Sequence, residues 1–351
     1  MLMRGGTSKG AYFLAADLPA TTAERDAFLL SMMGTPDARQ IDGIGGAHPL
    51  TSKVAIVDTS RDDDADVDYL FLQLGVDEAF VTDKQNCGNL LAGVGPFAVE
   101  RGLVAARGER AEVRIRMLNT GGIATARFAL NDGRPRYDGT CAIAGVPGTA
   151  APIELEFADT AGSSCGALFP TGNALDTVAG IDVTCVDNGM PVVVLAAEAV
   201  GVSGGESCAE LEGDAGLRRR VEDVRLAAGP LMGLGDVKEL TIPKMTLVSA
   251  PADGGTLRTR TFIPHRCHDA IGVLGAVSVA TAALIPGTAA ATVAAPVTQP
   301  GRVTVEHPTG TLDATVELRG VDGNVIRIEV VRAGILRTAR KLMDGMVFAH
   351  E

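Results

Sequence analysis

The chain has 351 residues, of which 46% are hydrophobic and only 4% aromatic, with 43 glycines and no tryptophan. This length exceeds one ordinary hydrophobic core, so we expect two domains whose cores are built from Val, Ala, Leu and Ile. The net charge of −12 argues against a nucleic-acid partner, because phosphate binding needs a basic face.

The cysteines and the N-terminus indicate a cellular compartment. The six cysteines, at positions 87, 141, 165, 185, 208 and 267, show no CxxC spacing. The N-terminus lacks the basic region and apolar stretch of a secretory signal. The sequence therefore predicts reduced thiols and a cytoplasmic protein.

The first candidate for chemistry is the glycine-rich stretch from Arg4 to Gly10, RGGTSKG. Glycines let the backbone curl with its N–H groups inward, and Arg4, Ser8 and Lys9 supply further donors. The stretch therefore suits a carboxylate or phosphate. It lacks the GxxxxGK[ST] order of a P-loop, which argues against ATP. The alternative is an ordinary glycine turn.

A peripheral helix is predicted from Thr22 to Met33, with Thr21 or Thr22 as its cap. A long glycine-rich loop then enters the strand Val54 to Val57, and Lys53 stands at the start of that strand. A desolvated amine at such a position can serve as a base. The alternative is an exposed lysine at the end of a strand.

The next candidate is Asn86-Cys87-Gly88-Asn89, which precedes an apolar run from Leu90 to Val99. A helix that is apolar on every side must be buried, so we predict a central helix over about 88–103. Free N–H groups and the helix dipole at its start would stabilise a carboxylate or an enolate. The alternative is that Cys87 is only a small buried side chain.

A similar arrangement recurs about 180 residues later, since His265-Arg266-Cys267-His268 precedes an apolar run that predicts a second helix over about 269–284. The uncharged stretch from Ala270 to Val297 is long enough to span a bilayer, but Pro286-Gly287 interrupts it. We therefore favour a buried helix. The two arrangements indicate a diverged duplication, in which a curled sheet surrounds each helix and both helix starts meet at one cleft.

Strand-like runs lie around both helices. In the first half they are Val54 to Val57, Val67 to Val76, Glu112 to Leu118 and Ile123 to Leu130. In the second half they are Pro191 to Leu195, Met245 to Ala250, Leu257 to Ile263, Arg302 to Glu306, Asp313 to Leu318 and Asn324 to Val331. A further peripheral helical region is expected from Ser207 to Leu226. The predicted half-domains are 1–180, to which 335–351 could return, and 181–334.

Several runs resemble the PrpF family, which has the diaminopimelate-epimerase-like fold. They are Met3 to Gly10, Asp42 to Gly46, Leu50 to Lys53, Asn86 to Asn89, Asp187 to Pro191, His268 to Val273 and Arg337 to Gly345. The resemblance covers essentially the whole chain. It implies an α+β fold of two pseudo-symmetric half-domains, each a curled β-sheet or barrel around a central buried helix. It also implies an active site between the halves and no cofactor.

Within that family, the segments Gly10 to Ala15 and Arg39 to Gly43 most resemble 4-oxalomesaconate tautomerases and isomerases of gallate, protocatechuate and lignin-derived aromatic breakdown. The resemblance implies a proton shift in an unsaturated tricarboxylate, with Lys53 and Cys87 as catalytic residues. We favour Lys53 as base and Cys87 as proton donor, although the reverse differs by one proton transfer. The candidates for substrate binding are Arg4, Ser8, Lys9, Thr51, Ser52, Asn86, Gly88, Asn89 and His268.

The sequence departs from related epimerases, because His268-Asp269-Ala270 stands where they carry a second catalytic cysteine. Cys267 lies next to that place, so chemistry with two facing thiols is doubtful. Family members also usually carry several residues before the first strand, so a start at MLMRGG indicates a shortened strand or a misassigned start.

The expected partner is a small tricarboxylate, with no nucleic acid and no membrane, and a homodimer is an option. Three alternatives to the tautomerase stay open. They are a 2-methylaconitate cis–trans isomerase, a non-catalytic accessory or carboxylate-binding protein associated with an aconitase-like enzyme, and a zinc hydrolase. The last would use His265, Cys267 and His268, whose spacing matches no common tetrahedral set. We therefore expect no metal.

Overall fold

The computed structural model describes residues 1–84, 86–321 and 324–350. The chain divides into two compact units, one of Met1–Ala158 with Leu336–Glu351 and the other of Asp159–Ile335. The sequence placed this division at 180. Residues 159–180 instead pack within the second unit, where the Gly162 N–H donates to the Asp187 carbonyl at 2.7 Å and the Asp187 N–H donates to the Leu168 carbonyl at 2.8 Å.

The first unit has two helices, α1 (Thr22–Met33) and α2 (Gly88–Glu100). Its strands are β1 (Leu2–Gly5), β2 (Ser8–Leu14), β3 (Lys53–Thr59), β4 (Val67–Leu74), β5 (Val81–Thr82), β6 (Arg110–Met117), β7 (Ile123–Asn131), β8 (Arg134–Pro135) and β9 (Pro152–Phe157). The main strands neighbour one another in the order β1, β2, β3, β4, β6, β7, β9. The pairs β2–β3 and β4–β6 are parallel, and the others are antiparallel.

Helix α2 is the centre of the first unit. Its residues from Leu90 to Ala98 are all buried, as expected for a helix without a polar face. It contacts strands along the whole order from β1 to β9, so the sheet curls around it. The close packing needs small residues, because a Cβ at Gly93 would lie 2.5 Å from the Tyr12 hydroxyl.

The second unit has helices α3 (Cys208–Gly213), α4 (Ala215–Leu231) and α5 (Val273–Ala283). Its strands are β10 (Asp176–Val178), β11 (Ile181–Asp187), β12 (Pro191–Ala196), β13 (Lys244–Ser249), β14 (Leu257–Phe262), β15 (Arg302–His307), β16 (Gly310–Arg319) and β17 (Glu329–Met343). The strands from β11 to β17 neighbour one another in chain order, and β12–β13 and β14–β15 are the parallel pairs. Strand β17 continues into the first unit, where Met3 and Gly5 of β1 pair with Lys341 and Ala339.

The two units repeat one series of strand pairings. In each, an antiparallel pair is followed by a parallel, an antiparallel, a parallel and two antiparallel pairs. In each, the segment of chain that connects the fourth and fifth strands of that series contains the buried helix. The repeated topology supports the predicted diverged duplication.

Most predicted elements are confirmed, with two differences among the peripheral ones. Helix α1 has its predicted bounds, and the Thr21 side chain caps it by accepting the Glu24 N–H. The region from Ser207 forms two helices because Asp214 ends α3 and caps α4, where its carboxylate accepts the Leu217 N–H at 2.8 Å. The strand predicted from Asn324 to Val331 is correct only in its last three residues, since Val325–Arg327 forms a 3-10 turn and β17 begins at Glu329.

The second central helix begins at Val273, four residues later than predicted. The Ala270 N–H donates to Nδ1 of His268 at 2.9 Å, which closes a turn before the helix, and Gly272 is the N-cap. His268 and Asp269 therefore precede α5 rather than open it. Across residues 1–84, 86–321 and 324–350, no helix is long and apolar enough to cross a membrane.

Candidate active site

Lys53 and Cys87 come together in the first unit although 34 residues separate them. Lys53 opens β3, and its Nζ donates to Sγ of Cys87 at 3.5 Å. Both residues are buried, with exposed fractions of 8% and 7%. The amine also lies 5.3 Å from the centroid of the Phe71 ring. The structure thus encloses an amine and a thiol between which a proton can move.

The loop before Lys53 is held by a buried carboxamide. The Oε1 of Gln40 accepts the Ser52 hydroxyl at 2.8 Å and the Ala47 N–H at 2.9 Å, while its Nε2 donates to the Thr35 hydroxyl at 3.1 Å. Gln73, which pairs with Lys53 across β3 and β4, donates its Nε2 to three carbonyls that include that of Ser52. Sequence reasoning did not single out either glutamine. For Gln73 the available signal was a polar residue within the otherwise apolar run from Leu70 to Leu74.

The start of α2 presents backbone donors beside the thiol. Cys87 is the N-cap residue and its side chain makes no capping bond. The first intrahelical bond runs from the Leu91 N–H to the Cys87 carbonyl at 3.0 Å, so the N–H groups of Gly88, Asn89 and Leu90 have no acceptor within the helix. Such groups, with the helix dipole, stabilise negative charge.

Two buried tyrosines fix the same helix start. The Tyr12 hydroxyl donates to the Leu90 carbonyl at 2.6 Å, and the Tyr69 hydroxyl donates to the Cys87 carbonyl at 3.4 Å. Burial, with an electrostatic effect of Cys87 as a further cause, raises the pKa of both tyrosines well above their usual value. Both therefore stay protonated and act as hydrogen-bond donors that position the backbone around Cys87.

Asn86 and Asn89 lie on either side of Cys87 and Gly88, and their side chains position the backbone there by hydrogen bonds. Asn86 lies next to Cys87, and its Oδ1 accepts the Cys87 N–H at 2.8 Å. Asn89 donates its Nδ2 to the Thr7 hydroxyl at 3.0 Å, and its Oδ1 accepts the Thr7 N–H at 3.4 Å. These contacts tie the glycine turn at the N-terminus to α2. The Asn89 side chain is thus committed to positioning, whereas its backbone N–H faces no helical acceptor.

The remaining predicted binding residues at and near the glycine turn also differ in whether their side chains already make hydrogen bonds. The Arg4 guanidinium donates to the Gly6 carbonyl and to the carbonyl and hydroxyl of Thr338, so it holds the turn. The Ser8 hydroxyl is buried and makes no hydrogen bond to any described residue. Lys9 and Thr51 approach the same place, because a Cβ at Gly46 would lie 3.3 Å from Nζ of Lys9 and 2.4 Å from the Thr51 hydroxyl.

His268 lies in the second unit, where burial lowers its pKa. Its role in substrate binding stays a prediction. The motif Asp187 to Pro191, in the same unit, makes structural contacts: Oδ2 of Asp187 accepts the N–H groups of Ser164 and Cys165 at 2.8 Å each. Asn188 donates Nδ2 to the Thr281 hydroxyl on α5 at 2.8 Å. In the part of the chain that the structure describes, no three His, Cys, Asp or Glu side chains converge as a metal site would require.

The arrangement can carry out a proton shift at carbon. An amine in its neutral form can accept a proton, a thiol 3.5 Å away can donate one, and the start of α2 can stabilise the oxyanion formed between the two steps. These are the groups that an enolisation needs.

Comparisons with known proteins agree with this chemistry. The family model described as PrpF protein matches residues 1–350. The chain is 61% identical over 350 residues to the (4E)-oxalomesaconate Delta-isomerase of Novosphingobium sp. (strain KA1), covering 99% of this chain and 96% of that one. It is 59% identical over 350 residues to the 4-oxalomesaconate tautomerase of Pseudomonas putida, covering 99% of this chain and 94% of that one.

Solved structures confirm the predicted diaminopimelate-epimerase-like fold. A methylitaconate-delta-isomerase superposes with a TM-score of 0.86 at 35% identity, covering 98% of this chain and 93% of that chain. A hydroxyproline epimerase from Agrobacterium vitis superposes with a TM-score of 0.50 at 13% identity, covering 97% and 91%, which supports the fold alone.

Proposed function

This chain belongs to the PrpF family and is an isomerase, and we propose that its substrate is 4-oxalomesaconate. The observation that carries the proposal is the Lys53–Cys87 pair, 3.5 Å apart at the uncapped start of α2. The names of the two relatives near 60% identity support this substrate. The reaction is a proton shift that converts the tricarboxylate into its enol or into an alkene with a moved double bond.

The proposed mechanism begins with removal of a carbon proton that a conjugated carbonyl or carboxylate acidifies. Neutral Lys53 accepts that proton, and an extended dienolate forms. The N–H groups of Gly88 and Asn89 stabilise the developing oxyanion, since fixed donors in a dry site need no reorganisation. The Cys87 thiol then returns a proton to another carbon or to oxygen. Lys9 and Ser8 supply further donors for the carboxylates, whereas the hydroxyls of Thr51 and Ser52 already donate within the loop, to the His48 carbonyl and to Gln40.

Deuterium exchange separates the base from the acid. In deuterated buffer, a shift of the double bond should place label at a new carbon of the product, whereas enol formation should exchange label only into the substrate and leave none at a new carbon. Lys53→Met should abolish both substrate exchange and isomerisation, whereas Cys87→Ser should keep exchange and lose isomerisation. Cys141→Ser is the control for thiol removal in the same unit. If Cys87→Ser loses exchange and Lys53→Met keeps it, the roles are reversed.

Ultraviolet spectra test the substrate. The purified protein alone should change the spectrum of 4-oxalomesaconate rapidly and that of 2-methylaconitate slowly. The opposite order would identify a 2-methylaconitate cis–trans isomerase. Turnover by the protein alone would also rule out the accessory or carboxylate-binding alternative, which predicts binding without conversion.

We also propose a cytoplasmic location for the isomerase. All six cysteines are free thiols in the structure, which is typical of a reducing compartment. A homodimer stays a proposal as well, and sedimentation of the purified protein would test it.

A further inference from the structure

Asn119, a half-buried residue of the turn after β6, makes the hydrogen bonds that a neighbouring strand would make. Its Oδ1 accepts the Phe71 N–H at 2.9 Å, and its Nδ2 donates to the Phe71 carbonyl at 2.9 Å. Along this edge of β4, the register with β6 ends at Tyr69 and the register with β5 begins at Gln73. The carboxamide therefore satisfies both backbone groups of the residue that lies between the two paired stretches.

The same carboxamide holds the segment that leads to Cys87. Its Nδ2 also donates to the Asp83 carbonyl at 2.8 Å, directly after β5, and Cys87 follows four residues later. Further along this segment, the Asn86 Nδ2 donates to Sδ of Met117 on β6 at 2.7 Å. Asn119 and Met117 thus fix the approach to Cys87 against the neighbouring strands.

Phe71, the other partner of Asn119, lies beside the amine of the active site. The centroid of its ring lies 5.3 Å from Nζ of Lys53. Asn119 therefore connects the strand beside Lys53 to the segment that carries Cys87. Strand β4 has a second support, because it pairs with β3 over the whole length of that strand. Loss of the carboxamide should consequently displace Cys87 more than Lys53.

We propose that Asn119 is a positioning residue that sets the approach of Cys87 to Lys53. It acts through the Asp83 carbonyl and β4, not on the substrate. In the sequence, Asn119 stands before Thr120-Gly121-Gly122 and has the pattern of an ordinary turn residue, so local pattern does not reveal this role. The inference rests on the proposed function, in which Lys53 removes a proton and Cys87 returns one.

Two substitutions separate the contacts of the carboxamide. Asn119→Leu removes all three hydrogen bonds, whereas Asn119→Asp keeps an acceptor for the Phe71 N–H and loses both donations. Each should lower kcat about ten- to a hundredfold, since a small displacement of a catalytic group is costly, with little change in KM. Asn131→Leu and Asn131→Asp, at an exposed asparagine of the same unit, are the matched controls and should behave as wild type.

Deuterium exchange distinguishes positioning from folding. Asn119→Leu should resemble Cys87→Ser, because substrate exchange by Lys53 continues while isomerisation falls. A general loss of structure would lower both rates in proportion, together with the melting temperature. Such a proportional loss, or wild-type kcat in Asn119→Asp, would overturn the proposal.

Alkylation by iodoacetamide, followed by peptide mapping, makes the test independent of turnover. Cys87 is only 7% exposed, so it should react slowly in the wild type and about tenfold faster in Asn119→Leu, while the rate at Cys141 stays the same. Alkylation of Cys87 at the wild-type rate would contradict the proposal. If Asn119→Leu exposes Cys87 but the wild type converts no unsaturated tricarboxylate, the proposed function fails and the positioning of Cys87 by Asn119 stands.

Discussion

The two central helices begin in different chemical surroundings, although the same series of strands leads to each. At the start of α2 a buried thiol and a buried amine lie 3.5 Å apart. Before α5, Lys244 opens the strand β13 that corresponds to β3, and no hydrogen bond joins it to a thiol of any described residue. The cysteine of that region, Cys267, has its Sγ 2.9 Å from Sγ of Cys208 instead. A duplicated fold therefore fixes where a reactive group can stand, while the residue types around those places determine which chemistry is available there.

The largest expected effect comes from removing the amine in the first unit. Lys53→Met should lower kcat by about 10²- to 10⁴-fold, the usual contribution of a general base. Lys84→Met, at an exposed lysine of the same unit, should leave kcat and KM unchanged. Steady-state rates with 4-oxalomesaconate provide the measurement. A Lys53→Met enzyme that changes KM alone would show that Lys53 binds substrate rather than moving a proton, and would remove the contrast between the two helix starts.

The second contrast concerns how each central helix is anchored. In the second unit, the Asn188 amide binds the Thr281 hydroxyl on α5 and accepts the Thr160 hydroxyl at 2.5 Å, all of them buried. Asn188→Leu keeps the approximate volume but leaves polar groups without partners, so the free energy of unfolding should fall by about 2 to 3 kcal/mol. Urea unfolding followed by circular dichroism measures this loss.

Two further variants provide a control and a comparison for that stability measurement. Asn173→Leu, at an exposed asparagine, should cost much less than Asn188→Leu. Tyr12→Phe, which removes the hydroxyl that binds the Leu90 carbonyl of α2, should cost about 1 to 2 kcal/mol. Equal stability of Asn188→Leu and Asn173→Leu would show that the amide network does not anchor α5.

The sequence predicts the central helices well and the site only in part, for physical reasons. A run such as Leu90 to Val99 has no polar face, so its burial follows from composition. The approach of Lys53 to Cys87 depends on the loop held by Gln40, which local pattern does not reveal, and the roles of both residues came from the resemblance. Strand β17 was largely missed because its later residues, Arg340 to Met343, are exposed and include two cations, which obscures the alternation of a strand.

Two buried polar side chains hold the segments that lead to the two lysines. Gln40 binds the loop before Lys53, and Arg225 binds the carbonyls of the segment before Lys244. Gln40→Leu should lower kcat/KM about tenfold, because a small displacement of the amine weakens proton transfer. Gln299→Leu, at an exposed glutamine, is the control. A change confined to stability would assign Gln40 to folding rather than to the position of Lys53.

The smallest effect on turnover should come from the cysteine pair of the second unit. Sγ of Cys208 lies 2.9 Å from Sγ of Cys267, closer than sulfur atoms in van der Waals contact, and burial raises the pKa of Cys267. Hydrogen peroxide should therefore oxidise the more exposed Cys208 to a sulfenic acid, with release of water. The Cys267 thiol then displaces a second water to form a disulfide.

Non-reducing peptide maps of the folded protein should show this crosslink, and Cys208→Ser should remove it. Since neither thiol belongs to the Lys53–Cys87 pair, the crosslinked enzyme should keep more activity than Lys53→Met or Gln40→Leu. A disulfide that contains Cys87 instead would show that Cys87 is not enclosed beside Lys53 in solution. The oxidation product thus reports directly on whether the thiols of the two units differ as their surroundings indicate.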